Sequence, residues 1–234
     1  MDRKKISAIL KKQLKDTIKN KTVLIQFIML PFLVVIMDHA IKMEGLPEHF
    51  FVPLIATMYI GMAPLTSMAA IVAEEKEKNT LRVLLMANVK PAEYLIGIGS
   101  YIVAACMLGA GVFALTGEYR GRELLEFLCI MLMGILISML IGAAIGVWSR
   151  NEMSATSITV PVMMVFSFLP MIATFNDTIR KISQLTWAGQ INLLMNELGR
   201  ESLKAETGWV LLLNGAIVLF LFWTAYKRCG WNKE

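Results

Sequence analysis

The sequence predicts an all-α membrane protein with six transmembrane helices, and three observations lead to that prediction. Of the 234 residues, 56% are hydrophobic and 18% are charged, more apolar surface than one soluble core of this length can bury. Charged residues are absent from six runs, at positions 22–37, 50–73, 94–117, 127–149, 153–176 and 207–226. Because backbone groups in lipid must be bonded within their own segment, each run is expected to be a helix.

The lengths of these runs match the thickness of a bilayer. A helix needs about 20 residues to cross roughly 30 Å of hydrocarbon. Five runs reach that length unaided, and the first reaches it by continuing through residue 41. We therefore expect one transmembrane domain over residues 1–234, with spans at about 22–41, 50–73, 94–117, 127–149, 153–176 and 207–226.

The positions of the basic residues predict the orientation of the chain in the cell membrane. With the N-terminus in the cytoplasm, 16 of the 23 Lys and Arg residues lie in cytoplasmic segments and 7 lie in outer loops. The positive-inside rule then places both termini and the segment 74–92 in the cytoplasm. The net charge of +5 is a topology signal on this interpretation, and no nucleic-acid partner is expected.

The leader, residues 1–21, has the pattern of an amphipathic helix. Apolar residues fill one half of its helical wheel and lysines fill the other half. The two sets are Ile6, Ile9, Leu10, Leu14 and Ile18, and Lys4, Lys5, Lys11, Lys12, Lys15 and Lys19. Such a helix lies in the membrane interface, with its apolar face in the acyl boundary and its lysines near anionic headgroups. It is either a fixed topology anchor or an elbow helix that moves with the first span.

The longest outer segment, residues 177–203, precedes the last span and is also amphipathic. Its apolar residues recur at helical spacing, and its polar residues fall elsewhere on the wheel. These sets are Trp187, Ile191, Leu194 and Leu198, and Gln190, Asn192, Asn196 and Glu197. We expect short amphipathic or re-entrant helices that dip into the outer leaflet.

The fourth span carries a stripe of small residues at four-residue steps: Gly134, Ser138, Gly142 and Gly146. Four-residue steps drift by only about 40° around a helix, so these residues share one face. Small residues let helix backbones approach closely in lipid. The stripe therefore predicts a helix-packing surface.

Sequence signals for catalysis, nucleotide binding and metal binding are missing. There is no Gly-x-x-x-x-Gly-Lys-Ser/Thr nucleotide loop and no Gly-x-Ser-x-Gly nucleophile turn. The only histidines, His39 and His49, are predicted to lie across the membrane from the Glu74-Glu75 pair, which disfavours a membrane protease. No span interior carries an ionisable residue, which disfavours ion-coupled transport.

The stretch AEEKEKNTLRVLLMANVKPAEYLIG interrupts the apolar sequence after the second span. Glu74, Glu75 and Glu77 extend that span into water, Asn79 tolerates a left-handed turn, and Thr80 can cap a new helix. The leucines of that short helix, Leu81, Leu84 and Leu85, share one face, with Arg82 on the other side. Pro91 suits the first position of the third span, with Glu93 near its positive end. A leucine face in a cytoplasmic loop predicts a partner protein with a groove.

This stretch resembles the segment between the second and third spans of type-2 ABC exporter permeases. The resemblance covers Glu75-Lys76-Glu77, Thr80-Leu81, Leu84-Leu85, Pro91 and Glu93-Tyr94, and extends to the number of spans, the leader and the segment before the last span. Asn79 stands where the family usually has Gly, and the usual Pro is missing from 179–198.

The resemblance implies a half-transporter that exports an amphipathic or hydrophobic substrate such as a peptide, drug or lipid. Two ABC ATPase subunits would hold ATP and Mg, and a second permease subunit, identical or homologous, would complete the path; this chain needs no cofactor. The implied coupling residues are Glu74, Glu75, Glu77, Thr80, Leu81, Arg82, Leu84, Leu85 and Pro91. A methionine-rich fifth span, with Met163, Met164 and Met171, agrees with such a substrate. The alternative is a non-transporting membrane scaffold or sensor subunit.

Overall fold

A computed structural model describes residues 3–19, 21–41, 47–86, 89–198 and 205–228. Regular secondary structure within these residues is entirely helical, which confirms the predicted all-α class for this part of the chain. The helices are α1 (Arg3–Lys19), α2 (Lys21–Ala40), α3 (Phe51–Glu77), α4 (Thr80–Met86), α5 (Pro91–Thr116), α6 (Gly121–Trp148), α7 (Glu152–Ala173), α8 (Asp177–Ser183), α9 (Trp187–Asn196) and α10 (Ala205–Arg228).

Five of the described helices, α3, α5, α6, α7 and α10, are long and apolar enough to cross a membrane. Helix α2 is 20 residues long, and the part of it whose side chains the structure describes, Leu24–Ala40, is apolar. Length and composition therefore support five of the six predicted spans, and the first span, at α2, stays a prediction.

Helix α3 lies at the centre of the bundle. It packs along α6 and α7 and also contacts α2, α5 and α9. As a result, 78% of its apolar stretch is buried within the chain, against 11% for α10, which packs mainly on α6. The charged end of α3 is thus attached to the most enclosed helix of the protein.

The glycines of α6 lie against the backbone of α3. A Cβ atom at Gly146 would lie 2.8 Å from the carbonyl oxygen of Ala69, and one at Gly142 would overlap the carbonyl oxygen of Leu65. A Cβ at Gly134 would press on the side chain of Ile60, which also belongs to α3. The absence of side chains at these positions is what allows the two backbones to come this close.

Helix α1 packs against α5, where the sequence predicted that its apolar face would lie in lipid. Ile9 is buried, and its Cγ2 would lie 2.8 Å from a Cβ atom at Gly97 of α5. Leu14, on the same face of α1, remains exposed. The prediction was wrong for Ile9 because a helical wheel shows which face is apolar but not whether lipid or protein covers it.

Helices α8 and α9, which the sequence predicted to lie on the outer side, also pack on the protein itself. Trp187 and Ile191 of α9 are buried among α3, α6, α7 and α10, and the Trp187 ring lies 5.3 Å from that of Phe166 on α7. This apolar face is therefore covered by protein, and the depth of these helices in the outer leaflet stays a prediction. Residues 199–203 of the predicted outer segment lie outside the described part of the chain.

Candidate functional site

The connection from α3 to α4 is a tight turn at Asn79. Asn79 has a positive φ of 55°, the left-handed conformation that Asn adopts more readily than other residues with a side chain. Helix α4 then begins at Thr80 and runs to Met86. The left-handed turn that the sequence predicted at Asn79 is thus confirmed, and it fixes the direction in which α4 leaves α3.

The start of α5 fixes the other end of the segment. Pro91 is the first residue of α5, as predicted, and the backbone N–H of Lys90 donates a 3.1 Å hydrogen bond to Oε2 of Glu93. Before it, the N–H of Val89 donates to the carbonyl oxygen of Leu84, which closes the end of α4. Defined hydrogen bonds therefore hold both the end of α4 and the start of α5.

Glu75, near the end of α3, forms the centre of a buried polar cluster. Its side chain is only 7% exposed, and its Oε1 accepts hydrogen bonds from Lys12 Nζ at 2.5 Å and from Gln13 Nε2 at 3.5 Å. The hydroxyl of Thr80 donates to the other carboxylate oxygen and lies 3.0 Å from the backbone oxygen of Glu75. This one carboxylate therefore connects α1, α3 and α4.

Two sequence expectations about this cluster were wrong. Glu75 was expected at an exposed rim, but it is buried because α1 folds over it. Thr80 was expected to cap α4, but its hydroxyl bonds back to Glu75. The second difference follows from the first: the buried carboxylate needs hydrogen-bond donors, and Thr80 lies within reach.

The neighbours of Glu75 in sequence attach α3 to two further helices. Lys76 Nζ donates to the carbonyl oxygens of Val147, at 2.9 Å, and Ser149, at 2.8 Å, which lie at the end of α6. Glu77 Oε2 accepts a 2.9 Å hydrogen bond from the N–H of Glu152, at the start of α7. Helix ends carry backbone groups without helical partners, so these contacts satisfy groups that the fold leaves open.

Glu74 has a local role on the surface. It forms an ion pair with Lys78, one turn along the chain, and this hydrogen bond and charge raise the pKa of Lys78. Both side chains are solvent-exposed to a large degree, so the pair contributes little to stability. Of the three predicted coupling glutamates, Glu75 and Glu77 join helices within the chain, while Glu74 joins residues of one helix end.

The structure describes the side chains of only part of α4. Leu84 is half-buried and packs against the core of the bundle. Val83 and Met86, in contrast, are 58% and 73% exposed. The side chains of Leu81, Arg82 and Leu85 lie outside the described part of the structure. The apolar surface that α4 is seen to offer a partner therefore consists of Val83 and Met86.

This arrangement joins one charged run of α3 to several other helices. Within the described ranges there is no group of three or more His, Cys, Asp or Glu residues that could hold a metal ion. What the site does provide is direct bonding from one charged run to α1, α4, α6 and α7. No local signal could have revealed this, because Lys12 and Glu75 are 63 positions apart.

Comparison with known protein families matches residues 5–227 to the ABC-2 family transporter proteins. A multi-pass helical membrane protein with this match is a transport permease. The chain belongs to the ABC-2 transporter family, as its membrane-spanning permease subunit. Permeases of this family are not themselves catalytic and normally work with an ATPase subunit. The search of curated proteins gave no match to this sequence.

Proposed function

We propose that this permease is the membrane half of an ATP-driven exporter. Two copies of a separate ATPase subunit bind ATP and Mg and hydrolyse the nucleotide, and a second permease, identical or homologous, completes the transport path. The observation that carries this proposal is the bonding of the charged end of α3 to α1, α4, α6 and α7, together with membership of the family. A force applied to α4 has a bonded route into four other helices.

The proposed topology has six spans in a single transmembrane domain. Helix α2 supplies the first span, because it runs without a break from Lys21 to Ala40. Its 20 residues are about the length that a spanning helix needs. Helix α1 then lies at the cytoplasmic membrane surface as an elbow helix, and α8 and α9 lie on the outer side. The excess of basic residues in the predicted cytoplasmic segments supports this orientation, with both termini in the cytoplasm.

In this proposal α4 is the coupling helix. Val83 and Met86 enter a groove of the ATPase subunit, since they are the apolar side chains that α4 is seen to leave exposed. Movement of the ATPase shifts α4 and, through Thr80, the buried carboxylate of Glu75. Glu75 passes the shift to α1, and the neighbouring Lys76 and Glu77 pass it to α6 and α7. Transport then needs no ionisable residue at depth in the membrane.

The proposed substrate is amphipathic or hydrophobic, such as a peptide, drug or lipid. Helix α7 exposes a largely apolar surface that includes Met164, Val165 and Ile172, and Glu152 is its only charged residue. A sugar chain would need many hydrogen-bonding groups along its path, whereas an apolar substrate does not.

The experiment is transport in vesicles that contain the purified permease and its ATPase. A labelled amphipathic peptide is followed with ATP and Mg, with a non-hydrolysable ATP analogue, and with a proton gradient alone. We expect movement towards the face opposite the ATPase only with hydrolysable ATP. Movement driven equally well by the proton gradient, or equal movement without the ATPase subunit, would overturn the proposal.

A further inference from the structure

An open cavity of about 460 Å³ lies between α1, α2 and α5. Leu10 and Leu14 of α1 line one end of it, Phe27 and Phe32 of α2 line one side, and Ala104 of α5 lines the other. Three of the α5 residues that line this trough, Ala104, Ala105 and Gly109, are small and leave space between the helices. The cavity thus starts at the amphipathic helix and extends along two membrane helices.

The chemistry of the lining restricts what can occupy this cavity. Its residues are aliphatic or aromatic, apart from a glycine and a proline, and among them only Tyr101 carries a polar side-chain atom, its hydroxyl. An extended peptide segment placed there would bury backbone N–H and C=O groups without partners. A hydrocarbon chain has no such groups and is therefore the occupant that the lining favours.

The end of the cavity at α1 carries positive charge. Lys11 and Lys15 follow the lining residues Leu10 and Leu14 directly in the sequence, and both are exposed. Neither takes part in an ion pair among the residues that the structure describes, whereas Lys12, between them, is bonded to Glu75. Two lysines without acidic partners beside an apolar trough match a molecule with an anionic head and a hydrocarbon tail.

We propose that this groove is a binding site for an anionic phospholipid from the leaflet on which α1 lies. One acyl chain occupies the trough between α2 and α5, and the phosphate headgroup lies beside Lys11 and Lys15. That this leaflet is the cytoplasmic one rests on the orientation proposed above, but the site itself does not depend on transport or on the ATPase. Because Ile9 holds α1 against α5, a lipid in this groove contacts the same helix that Glu75 connects to α3.

The test is native mass spectrometry of the purified permease, titrated separately with dioleoylphosphatidylglycerol and dioleoylphosphatidylcholine. We expect the first lipid adduct to form at lower concentration with the anionic lipid. In the Lys11→Gln, Lys15→Gln variant, phosphatidylglycerol binding should weaken by about 25-fold, since each of the two lysines near a headgroup contributes roughly a fivefold gain. Phosphatidylcholine binding should stay unchanged in this variant.

A second variant tests the trough itself. Ala104→Trp should abolish the first adduct with either lipid, and Ala216→Trp, at an exposed position of α10 outside the cavity, is its matched control. The control for the lysines removes two others, Lys181→Gln and Lys227→Gln. If Ala104→Trp fails to fold, the lysine variants still decide the question.

The proposal is overturned if the lysine variant and its control bind both lipids alike. It is also overturned if a photoactivatable phosphatidylglycerol labels α10 but not α2 and α5. Cross-linking between two copies through Ile28→Cys, with no lipid bound, would show that a second permease fills the groove and would likewise overturn it. None of these outcomes depends on whether the protein exports anything.

Discussion

Lys12 of α1 donates a 2.5 Å hydrogen bond to the carboxylate of Glu75 near the end of α3, across 63 positions of sequence. The two residues after Glu75 make equivalent long-range bonds, Lys76 to the end of α6 and Glu77 to the start of α7. The most charged run of the chain therefore holds helices together. This junction at the end of α3 lies next to α4, the short helix that is proposed to contact the ATPase subunit.

The first prediction concerns the charge on Glu75. Glu75→Gln should lower the stability of the purified permease by about 1–3 kcal/mol, because the hydrogen bond from the partly exposed Lys12 ammonium to a buried carboxylate becomes a weaker one to a neutral amide. The measurement is thermal unfolding in detergent. Glu126→Gln is the control, since Glu126 pairs with Arg122 on the surface and should contribute about 0–1 kcal/mol. Equal melting temperatures for the two variants would contradict the buried junction.

The second prediction concerns the partner surface of α4. Replacing Val83 and Met86 with Asp should abolish co-purification of the ATPase subunit and leave membrane insertion unchanged, because both side chains are exposed and neither supports the core. The measurement is a pull-down from solubilised membranes. Met153→Asp, at an even more exposed methionine at the start of α7, should retain the partner. Retention of the ATPase by the α4 variant would show that the partner binds elsewhere.

The third prediction concerns the contact between α6 and α3. Gly142→Ala should destabilise the protein by about 1–3 kcal/mol, since its new methyl group would overlap the carbonyl oxygen of Leu65 and push the helices apart. At Gly215 of α10 an added Cβ meets nothing within 4 Å, so Gly215→Ala should be neutral or slightly stabilising. Thermal unfolding and purification yield measure both. A Gly142→Ala protein as stable as the parent would contradict the close packing.

The fourth prediction uses two tryptophans in different surroundings. Trp187, the first residue of α9, is 1% exposed, whereas Trp209 of α10 is 72% exposed. Trp187→Ala should cost about 3–5 kcal/mol of stability through the cavity it leaves, and Trp209→Ala should cost little. The measurement is again thermal unfolding. A small effect at Trp187 would mean that α9 lies in lipid, as the sequence alone suggested.

Much of the architecture could be predicted from local sequence. Runs of apolar residues identify helices α3, α5, α6, α7 and α10, because the length needed to cross a bilayer is a property of each segment alone. The turn at Asn79 and the start of α5 at Pro91 are also local, since they follow from the backbone preferences of single residues. The family match agrees with the resemblance found in the same segment.

By itself, then, the sequence determined the helical class, the membrane setting, the ends of several helices and the family. Only the tertiary structure decided what covers each apolar face and each charge: α5 covers Ile9, the bundle covers Trp187, and α1 covers Glu75. The physical reason is that amphipathicity records a preference for an apolar or polar environment, and lipid, a neighbouring helix and a partner protein all satisfy it. Either water or a lysine on another helix can donate hydrogen bonds to a glutamate carboxylate. Whether Glu75 is buried therefore depended on how distant segments of the chain pack together.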